Sequence, residues 1–346
     1  MNCDDVRRLA AACREAQEDL FFVSGVLPPY ETIAAAFMVQ EEPTLMVVSG
    51  MFSVPDRLLK NDITPLFSRH RSAPLRVCVL ADGVIAADIR LLADAEFRAF
   101  CEQRKISHLI VPFAELADGN EYGSRDSYGW IGEWRASLPC ALRVTAVFSE
   151  PLSDYGPFIA RFASPGCTVV NAYRAPDVFA YQTVGIRKKY AYTRELALRR
   201  FAHRSAVFFT DRREAEEFLR FLHHADVRAV YVNGNMTEEQ LYDALDAFSS
   251  CDDLLIATKS VLASCLFYRA DNVFFCGIPY SVSFLTRCAS FSNDGSISCV
   301  FCEKDIEVDI NILKCFAGNR REEEREPFLS EALNKLLAVK HLLIET

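Results

Sequence analysis

The one basic run in this sequence lies between Gly185 and Arg204. Its cations could bind the phosphates of a nucleic-acid backbone or the carboxylates of an acidic partner. A solvated helix face beside a hinge is the simpler interpretation of such a run. Arg187, Lys188 and Lys189 are the candidate contacts. The basic residues of the segment are Arg187, Lys188, Lys189, Arg194, Arg199, Arg200, His203 and Arg204.

Cysteine and histidine form no recognisable catalytic or metal-binding pattern. Cys299 and Cys302 make a Cys-x-x-Cys pair, but they lie in an apolar, strand-like run where positions three apart point to opposite faces. A shared metal would need a turn there and two further ligands, and only Cys315 follows. The six histidines are expected to lie on the surface or to be hydrogen-bonded in the core. We therefore predict neither a metal nor a cofactor.

Length and composition favour two domains of ordinary size in a cytoplasmic protein. The chain has 346 residues, of which 51% are hydrophobic, and no apolar run reaches the length of a membrane span. No signal peptide is visible at the N-terminus, and the 13 cysteines are scattered, as expected of reduced thiols. The net charge of −9 lowers the expectation of nucleic-acid binding without excluding it, since charge can be local.

The elements that could position chemical groups are clearest between Ala206 and Pro279. Four short apolar runs are expected to be strands, and amphipathic helical patterns separate them. Thr237 is predicted to cap the helix after the second run, with Gln240 as its capping-box partner. Strands this apolar are usually covered on both faces, which predicts a parallel sheet flanked by helices. The four runs are Ala206–Phe209, Ala229–Val232, Leu254–Thr258 and Val273–Cys276.

The first half of the chain has a similar but less regular pattern. A helix is predicted over residues 6–22, and its inner face is expected to carry Leu9, Ala12 or Cys13, Ala16 and Leu20. Strands are predicted over residues 44–48, 75–80, 106–111 and 144–147. A charged, exposed linker is predicted over residues 320–326, followed by helices.

Several short motifs occur in order between residues 206 and 279. Phe208–Arg213 is similar to the strand and turn that open the second RecA-like domain of superfamily 2 helicases. Tyr231–Gly234 resembles the Tyr-His-x-Gly motif of the RecQ-like branch, Ala257–Thr258 resembles its Ala-Thr motif and Ile278–Pro279 its Ile-Pro motif. The resemblance implies an α/β fold of two RecA-like domains of the P-loop NTPase type, with parallel sheets flanked by helices and a short helical C-terminal tail.

The same resemblance implies candidate binding residues. Thr210, Asn233, Gly234 and Thr258 stand where relatives contact the nucleic-acid backbone. Together with the three cations of the basic segment, they are the predicted nucleic-acid-binding residues, and DNA is the predicted ligand.

The groups that such helicases use to bind and hydrolyse ATP are missing from the matching positions. The loop Ser49–Asp56 keeps one glycine and has no lysine to neutralise phosphate charge. Pro112–Glu115 stands at the acidic box but keeps only its alanine, which leaves Glu115 as a lone carboxylate. Phe284–Gly295 stands at the last motif, and its one arginine, Arg287, lies too early to reach a γ-phosphate. We predict no catalytic and no nucleotide-binding residue.

A helicase fold without the residues for ATP hydrolysis indicates a pseudo-helicase that acts as a binding or scaffold protein in DNA handling. An active helicase is a candidate protein partner, and no membrane partner is expected. Two alternatives are an ATP-dependent 3′–5′ DNA helicase with divergent motifs and an unrelated two-domain α/β enzyme. The expected domains are residues 1–184, the first RecA-like domain; 185–204, the basic inter-domain segment; 205–318, the second RecA-like domain; and 319–346, the helical tail.

Overall fold

A computed structural model describes residues 3–16, 18–27, 33–34, 43–48, 54, 56–67, 75–80, 83–118, 125–138, 141–198, 204–250, 254–258, 261–262, 267–318 and 320–345. The chain divides into two compact units, and the second begins at Ala175. Each unit is an α/β structure built on one sheet, which confirms the expected fold class. Within the described residues, no helix is both long and apolar enough to cross a bilayer.

The first unit contains an eight-stranded sheet in the order β3-β4-β5-β2-β6-β7-β1-β8. Its strands are β1 (Leu20–Gly25), β2 (Thr44–Val48), β3 (Leu59–Asp62), β4 (Val77–Leu80), β5 (Ile85–Asp88), β6 (His108–Pro112), β7 (Arg143–Phe148) and β8 (Thr168–Arg174). Its helices are α1 (Cys3–Glu15), α2 (Ala95–Gln103), α3 (Arg125–Ser137) and α4 (Gly156–Phe162).

Most neighbours in this sheet are parallel, but β3, β4 and β5 form an antiparallel extension. The connection from β4 to β5 is too short for a parallel crossover, so the two strands must form a hairpin. Gly83 supplies the turn with a positive φ of 92°, a region that glycine adopts without steric cost.

The helix predicted over residues 6–22 is wrong in its last turns. The structure ends α1 at Glu15 and begins β1 at Leu20. Leu20 continues the four-residue spacing of the buried face of α1, which explains the prediction. Its run of large apolar side chains instead pairs in parallel with β7 and β8 and is fully buried. Burial on both faces of a central strand therefore overrides the helical spacing.

Asp19 connects the elements around β1. Its carboxylate is 1% exposed and accepts hydrogen bonds from the backbone N–H of Val144 at 2.8 Å and of Ser164 at 2.5 Å. The Arg135 guanidinium donates to the same carboxylate at 2.5 Å. A buried carboxylate needs such compensation, and here it fixes β1 against β7 and α3.

His108 is a hydrogen-bonded core histidine, as predicted for this residue type. Nε2 of its ring lies 2.8 Å from the Thr145 hydroxyl, and the Arg143 guanidinium lies 3.4 Å from Nδ1. Burial lowers the pKa of His108 to about 3, and the charge of Arg143 acts in the same direction. The imidazole is therefore neutral and structural at physiological pH.

The second unit contains a six-stranded, fully parallel sheet in the order β11-β12-β10-β13-β14-β9. Its strands are β9 (Asp177–Thr183), β10 (Ser205–Phe209), β11 (Ala229–Val232), β12 (Leu254–Thr258), β13 (Asn272–Cys276) and β14 (Ser296–Cys302). Its helices are α5 (Ile186–Leu198), α6 (Arg212–His223), α7 (Glu238–Ser250), α8 (Val282–Ala289), α9 (Glu303–Gly318) and α10 (Glu322–Glu345).

The four apolar runs of the second half are strands, as the sequence indicates. The predicted capping box is also confirmed: Thr237 N–H donates to Gln240 Oε1 at 3.0 Å, and Gln240 N–H donates to Thr237 Oγ1 at 3.2 Å. Cys299 and Cys302 are both buried in β14. Within the described residues, no group of three or more His, Cys, Asp or Glu side chains is placed to hold a metal ion.

Two expected boundaries differ from the structure. We expected the first domain to extend to residue 184, but β9 pairs with β14 along its whole length and so belongs to the second sheet. The predicted linker over residues 320–326 is helical from Glu322, because α10 begins there. The charged side chains of residues 321–326 are exposed, as predicted, whereas Arg320 is half-buried.

Candidate nucleic-acid interface

The carboxyl ends of all six parallel strands in the second unit lie at one edge of the sheet, which we call the carboxyl edge. Thr210 follows β10, Asn233 and Gly234 follow β11, and Thr258 ends β12. The register pairs Phe209 with Thr258. Since adjacent strands lie about 4.8 Å apart, the structure brings all four predicted residues to neighbouring positions on the carboxyl edge.

These four residues differ in how accessible they are to a ligand. Thr210 is 7% exposed and Thr258 is 4% exposed, so either can contact only a group that lies directly against the edge. Asn233 is half-buried, and its Oδ1 accepts a hydrogen bond from Asn235 N–H at 2.9 Å, which fixes the turn. Gly234 is exposed and has no side chain, so a bulky backbone can approach it closely.

Two of the three predicted cations are exposed. Arg187 and Lys188 lie in the first turn of α5, directly after the carboxyl end of β9. Three strand spacings separate β9 from β10, which is roughly 14 Å along the same edge. An extended chain of charged groups lying on this edge could therefore meet both the polar residues and these cations.

Lys189 differs from its two neighbours, and its predicted contact with a nucleic acid conflicts with the structure. It is fully buried, and its Nζ lies 2.5 Å from Glu214 Oε1 and 2.6 Å from Asp305 Oδ1. Burial alone would lower the pKa of this ammonium group, but the neighbouring Cys276 thiol and the two carboxylates raise it well above its usual value. Lys189 is thus a charged core residue that cannot reach a phosphate outside the protein.

Arg287 is also turned inward. It is 6% exposed, donates from Nη1 to Ser283 Oγ at 3.2 Å, and lies over the Phe284 ring with its guanidinium carbon 5.8 Å from the centroid. In the following turn, Asp294 accepts hydrogen bonds from Ser292 and Ser296. Burial alone would raise the pKa of Asp294, but these hydrogen bonds lower it, so this turn presents a negative charge.

In the first unit, Glu115 follows β6 and is not an isolated surface carboxylate. Its Oε2 accepts a hydrogen bond from Ser149 N–H at 3.2 Å, and its Oε1 accepts one from the Ser149 hydroxyl. Ser149 is fully buried at the end of β7, so the pair fastens two adjacent strand ends. The loop predicted to replace the phosphate loop lies outside the described residues except for Val54 and the start of a short helix at Asp56.

No sequence pattern indicates the partners of Lys189. Glu214 lies 25 residues away and Asp305 lies 116 residues away, so no spacing rule connects them. Tyr181 and Tyr192 were also missed, although their rings lie 5.5 Å apart in an edge-on arrangement between β9 and α5. Only tertiary structure places these side chains together.

One segment of the second unit matches a known protein family. Residues 188–290, less than a third of the chain, match the family described as Helicase conserved C-terminal domain. Comparison with curated protein sequences gave no match.

Several solved structures have a similar fold. The chain is similar to the DUF1998 helicase MrfA bound to DNA and AMPPNP, with a TM-score of 0.57, 12% identity, and coverage of 95% of this chain and 53% of that one. It is also similar to S. cerevisiae Dbp5 bound to Gle1 and IP6, with a TM-score of 0.53, 12% identity, and coverage of 95% and 96%. A third is Mss116p bound to ssRNA and AMP-PNP, with a TM-score of 0.51, 13% identity, and coverage of 94% and 69%.

These likenesses show the fold: two RecA-like α/β units that follow one another along the chain. The chain spans about half the length of MrfA.

Proposed function

We propose that this protein is a helicase-like core of the RecQ-like branch that has lost ATP hydrolysis and acts as a nucleic-acid-binding scaffold in DNA handling. The observation that carries this proposal is the inward orientation of Arg287, the one arginine in the segment that resembles the last helicase motif. An arginine at the γ-phosphate is worth about 10³–10⁵ in turnover in related phosphoryl-transfer enzymes. The sequence of the first-domain loop adds to this argument, since it has no lysine for the phosphates.

Nucleic-acid binding is proposed at the carboxyl edge of the second unit. The backbone around Gly234 and the hydroxyls of Thr210 and Thr258 would hydrogen-bond to phosphate oxygens, and Arg187 would supply charge at the β9 end of the edge. Structures of MrfA with DNA and of Mss116p with ssRNA support a nucleic acid as the ligand class. We propose DNA as the ligand and an active helicase as the protein partner.

The cytoplasm is the proposed location. The nine cysteines that the structure describes in detail are free thiols, and most of them are buried. Free thiols in this number are typical of a reducing compartment.

Replacing Arg187 with glutamate is expected to weaken binding to single-stranded DNA. The substitution removes the contact that neutralises one phosphate. The slope of log K against log salt should therefore become shallower by about 0.7. The measurement is fluorescence anisotropy of a labelled oligothymidylate, titrated at several NaCl concentrations. Duplex DNA measured in parallel would show which form is preferred.

Arg228→Glu is the matched control, because Arg228 is exposed and precedes β11 at the opposite, amino end of the strands. It makes the same change of charge away from the carboxyl edge. Equal loss of affinity in both variants, or no measurable DNA binding by the unmodified protein, would contradict the proposed interface.

A further inference from the structure

The outer edge of β9 carries a groove that the proposed function does not use. Within the described part of the chain, β9 is the last strand of its sheet and pairs only with β14. The groove has a volume of about 530 Å³ and is lined by Ala180–Val184, Lys188 and Tyr192. Successive strand residues point to opposite faces, so five consecutive lining residues mean that the groove follows the edge of the strand and not one face.

Exposed apolar side chains lie close in sequence to this groove. Phe179 is 51% exposed, Val184 is 80% exposed and Ile186 is 39% exposed, so three exposed large apolar side chains lie within eight residues. On the inner side, the packed rings of Tyr181 and Tyr192 form a wall. An open strand edge bordered by exposed apolar side chains is typical of a protein-binding surface.

The charge of the residues that line the groove indicates which kind of ligand it binds. Among the residues that the structure describes, Lys188 is the one charged side chain that lines the groove, and Arg187 is exposed beside it. The carboxylates of Glu214 and Asp305 pair with the buried Lys189. They therefore do not neutralise the exposed Arg187 and Lys188. A single lining cation suits one carboxylate of a peptide better than the repeated phosphates of a nucleic acid.

We infer that the edge of β9 binds an extended acidic peptide segment of another protein, which adds a strand to the sheet. Main-chain hydrogen bonds to the outer edge of β9, with which no other described strand pairs, supply affinity, as in other cases of strand addition. An alternating apolar side chain of the peptide packs against Tyr181 and Tyr192, and an Asp or Glu side chain pairs with Lys188. The proposed nucleic-acid interface uses Arg187 and the strand ends. Lys188 was also a predicted nucleic-acid contact, and this inference assigns it to the peptide instead.

The test is selection of a phage-displayed random-peptide library on the full chain. Enriched peptides are expected to alternate apolar and polar residues and to carry an Asp or Glu. Measured by fluorescence anisotropy, the enriched peptide should bind the Lys188→Glu variant about tenfold more weakly. A peptide in which Lys replaces that acidic residue should regain affinity for the variant, and a proline within the apolar stretch should abolish binding.

Lys314→Glu, an exposed lysine of α9, is the control and should leave peptide affinity unchanged. The inference is overturned if the library yields no acidic, alternating peptide, or if Lys188→Glu and Lys314→Glu behave alike. Competition by oligothymidylate would assign the groove to nucleic acid instead. A dimer seen by light scattering and lost in Lys188→Glu would assign it to a second copy of this chain; both results would also overturn the inference.

Discussion

Replacing Lys189 with methionine is expected to lower the free energy of unfolding of the second unit by about 3–5 kcal/mol. The change removes the ammonium group that lies 2.5 Å from Glu214 and 2.6 Å from Asp305, and leaves two carboxylates facing each other across a buried site. Asp305 also accepts a hydrogen bond from Cys302 N–H at 2.8 Å, so the start of α9 is fastened through the same site. Loss of the cation should therefore loosen α5, α6 and α9 together.

Lys188→Met provides the control, since it removes a neighbouring but exposed lysine and should change stability by no more than about 0.5 kcal/mol. Urea denaturation with hydrogen exchange read by mass spectrometry would locate the loss in the second unit. Adding Glu214→Gln and Asp305→Asn to Lys189→Met should restore part of the stability, because the unpaired charges are then removed. If Lys189→Met lowers the free energy of unfolding no more than Lys188→Met does, the buried ion pairs of Lys189 do not stabilise the second unit.

Replacing Asp19 with alanine should have an effect of similar size in the first unit, about 3–5 kcal/mol, because it breaks a buried ion pair from one side. Val144 N–H and Ser164 N–H lose their acceptor, and each unsatisfied buried donor costs about 1–3 kcal/mol. The Arg135 guanidinium, 2.5 Å from the carboxylate, loses its counter-ion. We expect faster hydrogen exchange in β1 and β7 and a lower denaturation midpoint.

Asp94→Ala is a suitable comparison for this prediction. Asp94 caps α2 by accepting hydrogen bonds from Glu96 N–H at 2.8 Å and Phe97 N–H at 3.2 Å, and its loss should cost only about 1 kcal/mol. Both variants replace aspartate with alanine, Asp94→Ala at a helix cap and Asp19→Ala in the core. Equal stability of the Asp19→Ala and Asp94→Ala proteins would show that the buried carboxylate does not hold the first unit together.

The parts of the fold that the sequence predicts well are those set by local patterns. Leu254–Thr258 is predicted as a strand because a short apolar run sits between polar segments, and the helix after β11 begins where Thr237 and Gln240 indicate. The carboxyl edge follows from the parallel sheet alone: once β10, β11 and β12 are parallel neighbours, Thr210, Asn233 and Thr258 must end at one edge.

The features that the sequence does not predict depend on distant contacts. Leu20 fits a helical face and a strand equally well, and only pairing with β7 and β8 decides between them. Lys189 looks like its neighbours Arg187 and Lys188, yet it is buried because Glu214 and Asp305 lie against it. The assignment of β9 to the second sheet depends on its register with β14, which begins more than a hundred residues later.

Steady-state ATP hydrolysis, measured with and without single-stranded DNA, tests most directly whether this helicase-like core has lost its chemistry. We expect no turnover above that of a buffer blank in either condition, and no difference between the unmodified protein and Arg287→Ala, because Arg287 faces the core of its unit. DNA-stimulated ATP turnover would contradict the proposal and favour the alternative of a working helicase with divergent motifs.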